Sequence, residues 1–246
     1  MDALTIAAAS GLKSRIDSLD LLANNLANTS TSGYKNDREF YSLYSSIESD
    51  DGVSGNPSST LPTVERQWTD FSQGEMQSTG NAMDIALGGP GFFVVNGPSG
   101  PLYTRNGNLQ ILPSGELATA DGYPLTAVGG GTIQVASGQP IQVSSNGTVT
   151  QNNRQLGQIQ VVTFKSTSSL TKAARTCFGN ADASNPPVPA TSPDVQQGKI
   201  EGSNVGVAQS AMRLVGVMRQ FEMLQKAIGV STDMDTKSIQ EVARVS

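Results

Sequence analysis

Leu22-Ala23-Asn24-Asn25-Leu26-Ala27-Asn28-Thr29-Ser30-Thr31-Ser32-Gly33-Tyr34-Lys35 is the stretch on which the reading of the fold turns. Upstream of it, Leu4, Ala8, Leu12, Ile16, Leu19, Leu22 and Leu26 recur at steps of three and four. That period predicts an amphipathic helix from Asp2 to about Asn28, with Lys13, Ser14, Arg15, Asp17 and Asp20 on its polar face. The run Thr29 to Gly33 then stops the helix and opens a loop. An apolar stripe of this length needs a partner.

The other end of the chain supplies a matching stripe. Val207, Ala211, Leu214, Met218, Phe221, Leu224 and Ile228 repeat in a near-heptad rhythm suited to a coiled-coil seam. Ile239, Val242 and Val245 continue it after an expected interruption at Gly229 to Asp235, where Ser231, Thr232 or Asp233 would cap a new turn. Between the helices the texture changes to short β-branched or apolar runs: Gly91 to Val95, Leu102 to Arg105, Leu109 to Leu112, Glu116 to Thr119, Thr132 to Val135, Pro140 to Val143, Thr148 to Gln151 and Gln158 to Phe164. Asn106-Gly107, Asp121-Gly122, Asn146-Gly147 and similar pairs punctuate them and supply the positive φ angles of tight hairpin turns. The expected class is α+β: N- and C-terminal α-helices forming a coiled-coil-type layer, and a central antiparallel β-rich domain. Ser45 to Pro62 and the proline-rich Asn180 to Pro193 read as connectors. The expected divisions are 1–32 helical, 33–78 extended connector and loop, 79–180 β domain, 181–199 connector and 200–246 helical.

Composition removes most chemistry. The 246 residues carry 16 Lys and Arg against 21 Asp and Glu, a net charge of −5, with no His and one Cys. Without histidine, Ser-His-Asp and Cys-His catalysis and His-ligated metals are excluded. Cys177 alone can form neither an internal disulfide nor a thiolate cluster. The acidic balance gives no basic stripe for a phosphate backbone, so no nucleic-acid partner is expected. No apolar run approaches a membrane span and Met1 to Ser10 lacks a basic leader, so neither direct membrane insertion nor a cleavable signal is expected. Gly88-Gly89-Pro90-Gly91 and Gly129-Gly130-Gly131 read as turns rather than phosphate cradles. Asp84, Glu116 and Asp121 show no spacing that would pair them as catalytic carboxylates. Neither an enzyme nor a cofactor is expected.

Two uses of the terminal stripes stay open on periodicity alone. The helices can pair within one globular monomer, or also pack against other subunits, in which case repeated asymmetric contacts build rings or helical filaments. A different class, a self-contained β-rich binding module for a polysaccharide or protein ligand, needs an aromatic groove. Aromatics are 5% of the chain, with a single Trp68; Tyr34, Tyr41, Tyr44, Trp68 and Phe71 cluster around the first connector.

Leu22 to Lys35 resembles, nearly position for position, the N-terminal signature of the axial proteins of the bacterial flagellum, the rod and hook subunits. Gly80 to Phe93, followed by Tyr103-Thr104-Arg105-Asn106-Gly107, resembles the stretch that opens their β domain. Gln197-Gly198-Lys199-Ile200-Glu201-Gly202-Ser203-Asn204-Val205 and Arg219-Gln220-Phe221-Glu222-Met223 resemble their C-terminal signature. The chain is too short for a hook subunit, and the resemblance is closest to the rod proteins. It implies a structural subunit of the basal-body rod that assembles with copies of itself and other rod proteins around a central channel. It also implies passage through the flagellar type III export apparatus and a place in the periplasmic rod. The expected interface residues are Leu4, Leu12, Ile16, Leu19, Leu22 and Leu26 on the first helix and Val207, Ala211, Leu214, Met218, Phe221, Leu224 and Ile228 on the last. Asn24, Asn25, Asn28, Gly33 and Tyr34 are the motif positions. The three asparagines are expected to satisfy loop and intersubunit backbone groups where the first helix ends, with plain helix termination as the alternative.

Overall fold

The apolar periodicity at each end becomes a helix. In the computed structural model, which describes residues 3–45 and 60–245, α1 spans Ala3–Ala27 and α2 spans Val207–Val245. The expected break at Gly229 to Asp235 does not occur, and α2 runs through it without interruption. An interior glycine costs about 1 kcal/mol relative to Ala and the segment holds no proline, so the helical run on either side carries it.

The chain forms two units: residues 1–27, 37–68 and 206–246 in one, and residues 28–36 and 69–205 in the other. In the first, α1 packs against α2. A Cβ placed on Gly11 would lie 3.5 Å from Leu224 Cδ1, which marks a close approach of the two helices. They run antiparallel, by chain reach. Asn204 N donates to Tyr34 O at 3.4 Å, so Ala27 and Val207 are joined by at most about 40 Å of extended chain. A parallel pair in the Gly11–Leu224 register would separate them by about 50 Å at ~1.5 Å per residue. The segment read as a loop-rich connector carries a β-ribbon instead, Asp37–Ser45 paired with Thr60–Thr69. Most of the loop expected between Ser45 and Pro62 lies outside the described residues, as do the side chains of Tyr41 and Tyr44.

The second unit is antiparallel β. Its main sheet orders Leu170–Ala174, Cys177–Asn180, Gly100–Thr104, Phe92–Gly97, Val161–Thr163 and Val188–Pro189. Phe92–Gly97 and Gly100–Thr104 form a hairpin closed at Gly97 and Gly100. The unbroken apolar run of Phe92 to Val95 reflects burial on both faces. Phe93 and Val95 enter one core with Ile85, Leu87, Leu117 and Leu125. Phe92 and Val94 enter another with Tyr103, Leu170 and Phe178, where Phe71 meets Phe178 edge to face at 4.9 Å and Tyr103 meets Phe164 at 4.8 Å. Such aromatic pairs add about 0.5–1.5 kcal/mol each beyond area burial. Thr132 to Val135, expected as a strand, makes only isolated bridges, Thr126 to Thr132 and Glu116 to Gln134. The expected Gln158 to Phe164 run divides into Arg154–Gln158 and Val161–Thr163.

Candidate functional site

The second unit encloses an ion cluster built from three distant parts of the chain. Lys35 Nζ donates to Glu201 Oε1 at 2.5 Å and to the Ser72 carbonyl at 2.7 Å. Arg105 Nη1 donates to Glu201 Oε2 at 3.2 Å, and Arg105 Nη2 to the Gly89 carbonyl at 2.8 Å. Gly74 N adds a third bond to Glu201, at 2.9 Å on Oε1. The Lys35 and Glu201 side chains are fully buried and Arg105 nearly so. One carboxylate therefore serves two cations out of water, and its loss would leave both buried and uncompensated.

Backbone contacts bind the same segments together. Gly33 N donates to Glu201 O at 2.8 Å, and Asp70 N to Asn36 O at 2.8 Å. Asn204 accepts from Asn36 N at 2.7 Å and donates to the Asp70 carbonyl at 2.8 Å. Lys172 Nζ donates to Lys35 O at 2.9 Å and lies 4.0 Å from the Tyr34 ring centroid. Two glycines permit the close approach. Gly33 has φ +69°, and a Cβ there would lie 2.3 Å from Asn106 N; one on Gly74 would lie 2.1 Å from Gly202 O. Residues 33–36, 70–74 and 201–204 thus form a clamp. All four points where the chain passes from one unit to the other lie within a few residues, in sequence, of a clamped group.

Burial sets the clamp's response to pH. Desolvation holds Lys35 below its ordinary 10.5; Glu201 opposes that shift and Arg105 adds to it. Burial likewise lowers Arg105, against the pull of Glu201. Because the folded Lys35 releases its proton more readily than the unfolded one, the unfolded chain binds more protons just below pH 10.5. Stability therefore rises with pH through that window. Lys35→Met should flatten this rise, measured as the difference in melting temperature between the two proteins from about pH 8 upward. Equal slopes would refute the assignment.

The cluster is not a catalytic constellation. Its charged groups are enclosed, and Cys177 is buried with its thiol pushed up to about 11, mainly by burial. Among the described residues no group of three His, Cys, Asp or Glu is placed to hold a metal, and no helix is long and apolar enough to cross a membrane.

The expected helix positions divide between two faces. On α1, Leu22 is buried, Leu12, Leu19 and Leu26 are half-buried, and Ile16 is 47% exposed; the side chain of Leu4 lies outside the described residues. The buried row of α1 is Gly11, Ser14, Ser18, Leu21, Leu22 and Asn25. On α2, Ala211, Leu214, Phe221, Leu224 and Ile228 are half-buried together with Val217, while Val207 and Met218 are exposed. Asn25 clamps the ribbon: its Nδ2 donates to Asp37 O at 2.8 Å and its Oδ1 accepts from Asp37 N at 3.0 Å. Asn28 Oδ1 accepts from Thr31 Oγ1 at 3.1 Å, whereas Asn24 is exposed. Gly33 and Tyr34 are buried in the clamp. Lys35, Arg105 and Glu201 all stand inside the motif stretches, yet no role was expected of them. The available signal was a charge set in a Gly- and Asn-rich stretch of a chain only 15% charged.

Residues 7–35 match the family described as "Flagella basal body rod protein", residues 86–151 "Flagellar hook protein FlgE/F/G D1 domain", and residues 196–241 "Flagellar basal body rod FlgEFG protein C-terminal". Each stretch contributes one member of the ion cluster. The chain is 30% identical to the flagellar basal-body rod protein FlgG of Buchnera aphidicola, over 91% of this chain and 94% of that protein. It is 29% identical to FlgF of Caulobacter vibrioides, over 93% of each, and 30% identical to FlgG of Agrobacterium fabrum, over 95% of this chain and 97% of that protein. The chain belongs to the flagellar basal-body rod family. As a rod-family protein of the FlgF or FlgG kind it is a structural subunit of the flagellar basal body, not an enzyme.

Proposed function

We propose that the subunit joins the rod through outward-facing apolar positions on both helices, which neighbouring copies and other rod proteins cover to form a coiled-coil-type layer. Distribution of exposed apolar side chains carries this reading. Among the described residues, seven of eleven exposed large hydrophobics stand on α2: Val207, Met212, Val215, Met218, Met223, Val230 and Met234. Ile16 is the counterpart on α1. Apolar side chains exposed together on a helix that also carries Arg213, Arg219, Glu222 and Lys226 mark a surface that a partner covers, and a second copy is such a partner. Leu12, Leu19 and Leu26, half-buried in the single chain, have surface left to give to the same contact.

The clamp supports a mechanical role for the β domain, the stretch we place at 79–180. A rod subunit passes torque from one part of itself to another, and buried ion pairs with bonded backbone resist sliding better than an apolar contact alone. In this reading the chain leaves the cytoplasm through the type III apparatus and becomes part of the periplasmic rod. The brief segment Asp37 to Ser78 and Phe221 favour the proximal-rod type, FlgF, over the distal-rod type, FlgG. Complementation of strains lacking one or the other separates these two.

Ile16→Asp and Val215→Asp test the assembly reading. Both positions are solvent-facing in the single chain, so each substitution should leave its unfolding free energy within about 0.5 kcal/mol of wild type. Incorporation into basal bodies, scored by immunoblot of purified rods, should be lost. Full incorporation of both variants would refute the interface.

A further inference from the structure

α2 carries apolar side chains on two sides, the outer one shared with Arg219, Lys226 and Lys237. Leu214, Val217, Phe221, Leu224 and Ile228 form the half-buried side, with Leu224 against Gly11 of α1. Nine residues, two and a half turns, separate Met212 from Phe221, which sets them on opposite sides of the helix. Met223, Val230 and Met234 follow Met212 at 11, 18 and 22 residues, near-whole numbers of turns, and so form one outer row. Met212 is 70% exposed, Met223 61% and Met234 64%, whereas Met76 and Met83 are half-buried in the β unit. α1 packs on the half-buried side, with Gly11 against Leu224, and so leaves this row uncovered.

We propose that Met212, Met223 and Met234 form an oxidation site that controls docking of the next copy of the chain. The inference rests on the assembly reading above. A thioether sulfur attacks one oxygen of a peroxide, the O–O bond breaks, and water leaves after proton transfer. The sulfur is oxidised to the sulfoxide and the peroxide oxygen is reduced. Three flexible apolar side chains become polar and chiral, and an apolar stripe on a second copy no longer has a surface to cover. A thiol-dependent methionine sulfoxide reductase reverses the change. Once a second copy covers the row its sulfurs are shielded, so the sensitivity belongs to the subunit before assembly.

Two measurements test this. Dilute purified chain is exposed to hydrogen peroxide and the sulfoxide at each methionine is followed by peptide mass spectrometry. Met212, Met223 and Met234 should oxidise several-fold faster than Met76 and Met83; equal rates would overturn the proposal. In cells lacking their own copy, the triple variant Met212→Gln, Met223→Gln, Met234→Gln imitates the polar sulfoxide and should lose rod incorporation several-fold. The triple Leu variant should keep it, and both should melt with the wild type. Wild-type incorporation by the Gln variant would overturn the proposal while leaving the assembly reading standing. Failure of the unmodified chain itself to enter the rod would remove the assembly reading, and this inference with it.

Discussion

Glu201→Ala should destabilise the protein by about 3–5 kcal/mol, because it leaves the charges of Lys35 and Arg105 buried without their anion. The carboxylate accepts from Lys35, Arg105 and Gly74 N at 2.5, 3.2 and 2.9 Å, and its side chain is fully buried. For a unit of this size that loss lowers the melting temperature by on the order of 10 °C. Glu201→Gln should behave almost as badly, since an amide keeps the shape and removes the charge. Lys35→Met should be much milder. It leaves one carboxylate facing one guanidinium, a balanced pair, and the methionine fills the volume of the lysine stem. The order Glu201→Ala, Glu201→Gln, then Lys35→Met, read by thermal and urea unfolding, is therefore the expected result. A Lys35→Met protein as unstable as Glu201→Ala would show that packing of residues 33–36, rather than the charge balance, holds the clamp.

This cluster also marks where sequence reading stopped. Lys35 and Glu201 stand 166 positions apart, and Arg105 and Glu201 stand 96 apart, so no local period connects them. What could be read was that each charge sits in a stretch with turn chemistry around it. The pairing depended on the topology of the β unit. The α1 surface shows a subtler difference. A search for apolar period selects Leu12, Ile16, Leu19 and Leu26, but the row buried in the chain begins with Gly11, Ser14 and Ser18. Small residues allow a close approach of helix axes, and Ser18 Oγ donates to Ser14 O at 2.9 Å, so that hydroxyl enters the contact with its hydrogen bond made. Hydropathy scores such positions as polar and misses them. The β unit was more legible because its turns depend on single residues. Gly122 and Gly147 adopt positive φ where Asp-Gly and Asn-Gly turns were read, whereas Gly107 does not: it is a point of close approach, where a Cβ would lie 1.7 Å from Ile85 O. The ribbon of Asp37–Ser45 and Thr60–Thr69 was harder to read, since the Ser- and Gly-rich sequence between its strands suggested that the whole segment was connector.

On α2 the half-buried row was largely legible, and it gives the second large effect. Leu214→Asp combined with Phe221→Asp should separate α1 from α2, because each places a carboxylate among apolar neighbours at a cost of several kcal/mol unless water follows it in. Two helices joined along one row cannot absorb both changes. The β unit has its own cores, headed by Phe93, Val95, Leu117 and Leu125 on one side and Phe92, Val94 and Phe178 on the other, so its melting transition should stay where it is. Helical circular dichroism should fall in the dilute protein, and incorporation into rods should be abolished. Met218→Asp provides the contrast. That side chain was expected in the seam but is exposed in the single chain, so its substitution should spare the helix pair and act only on assembly. Loss of the β transition together with the helices in the double variant would mean that the two units fold as one. The exposed rows would then have to be reread as faces of a self-contained globule instead of contacts awaiting a neighbour.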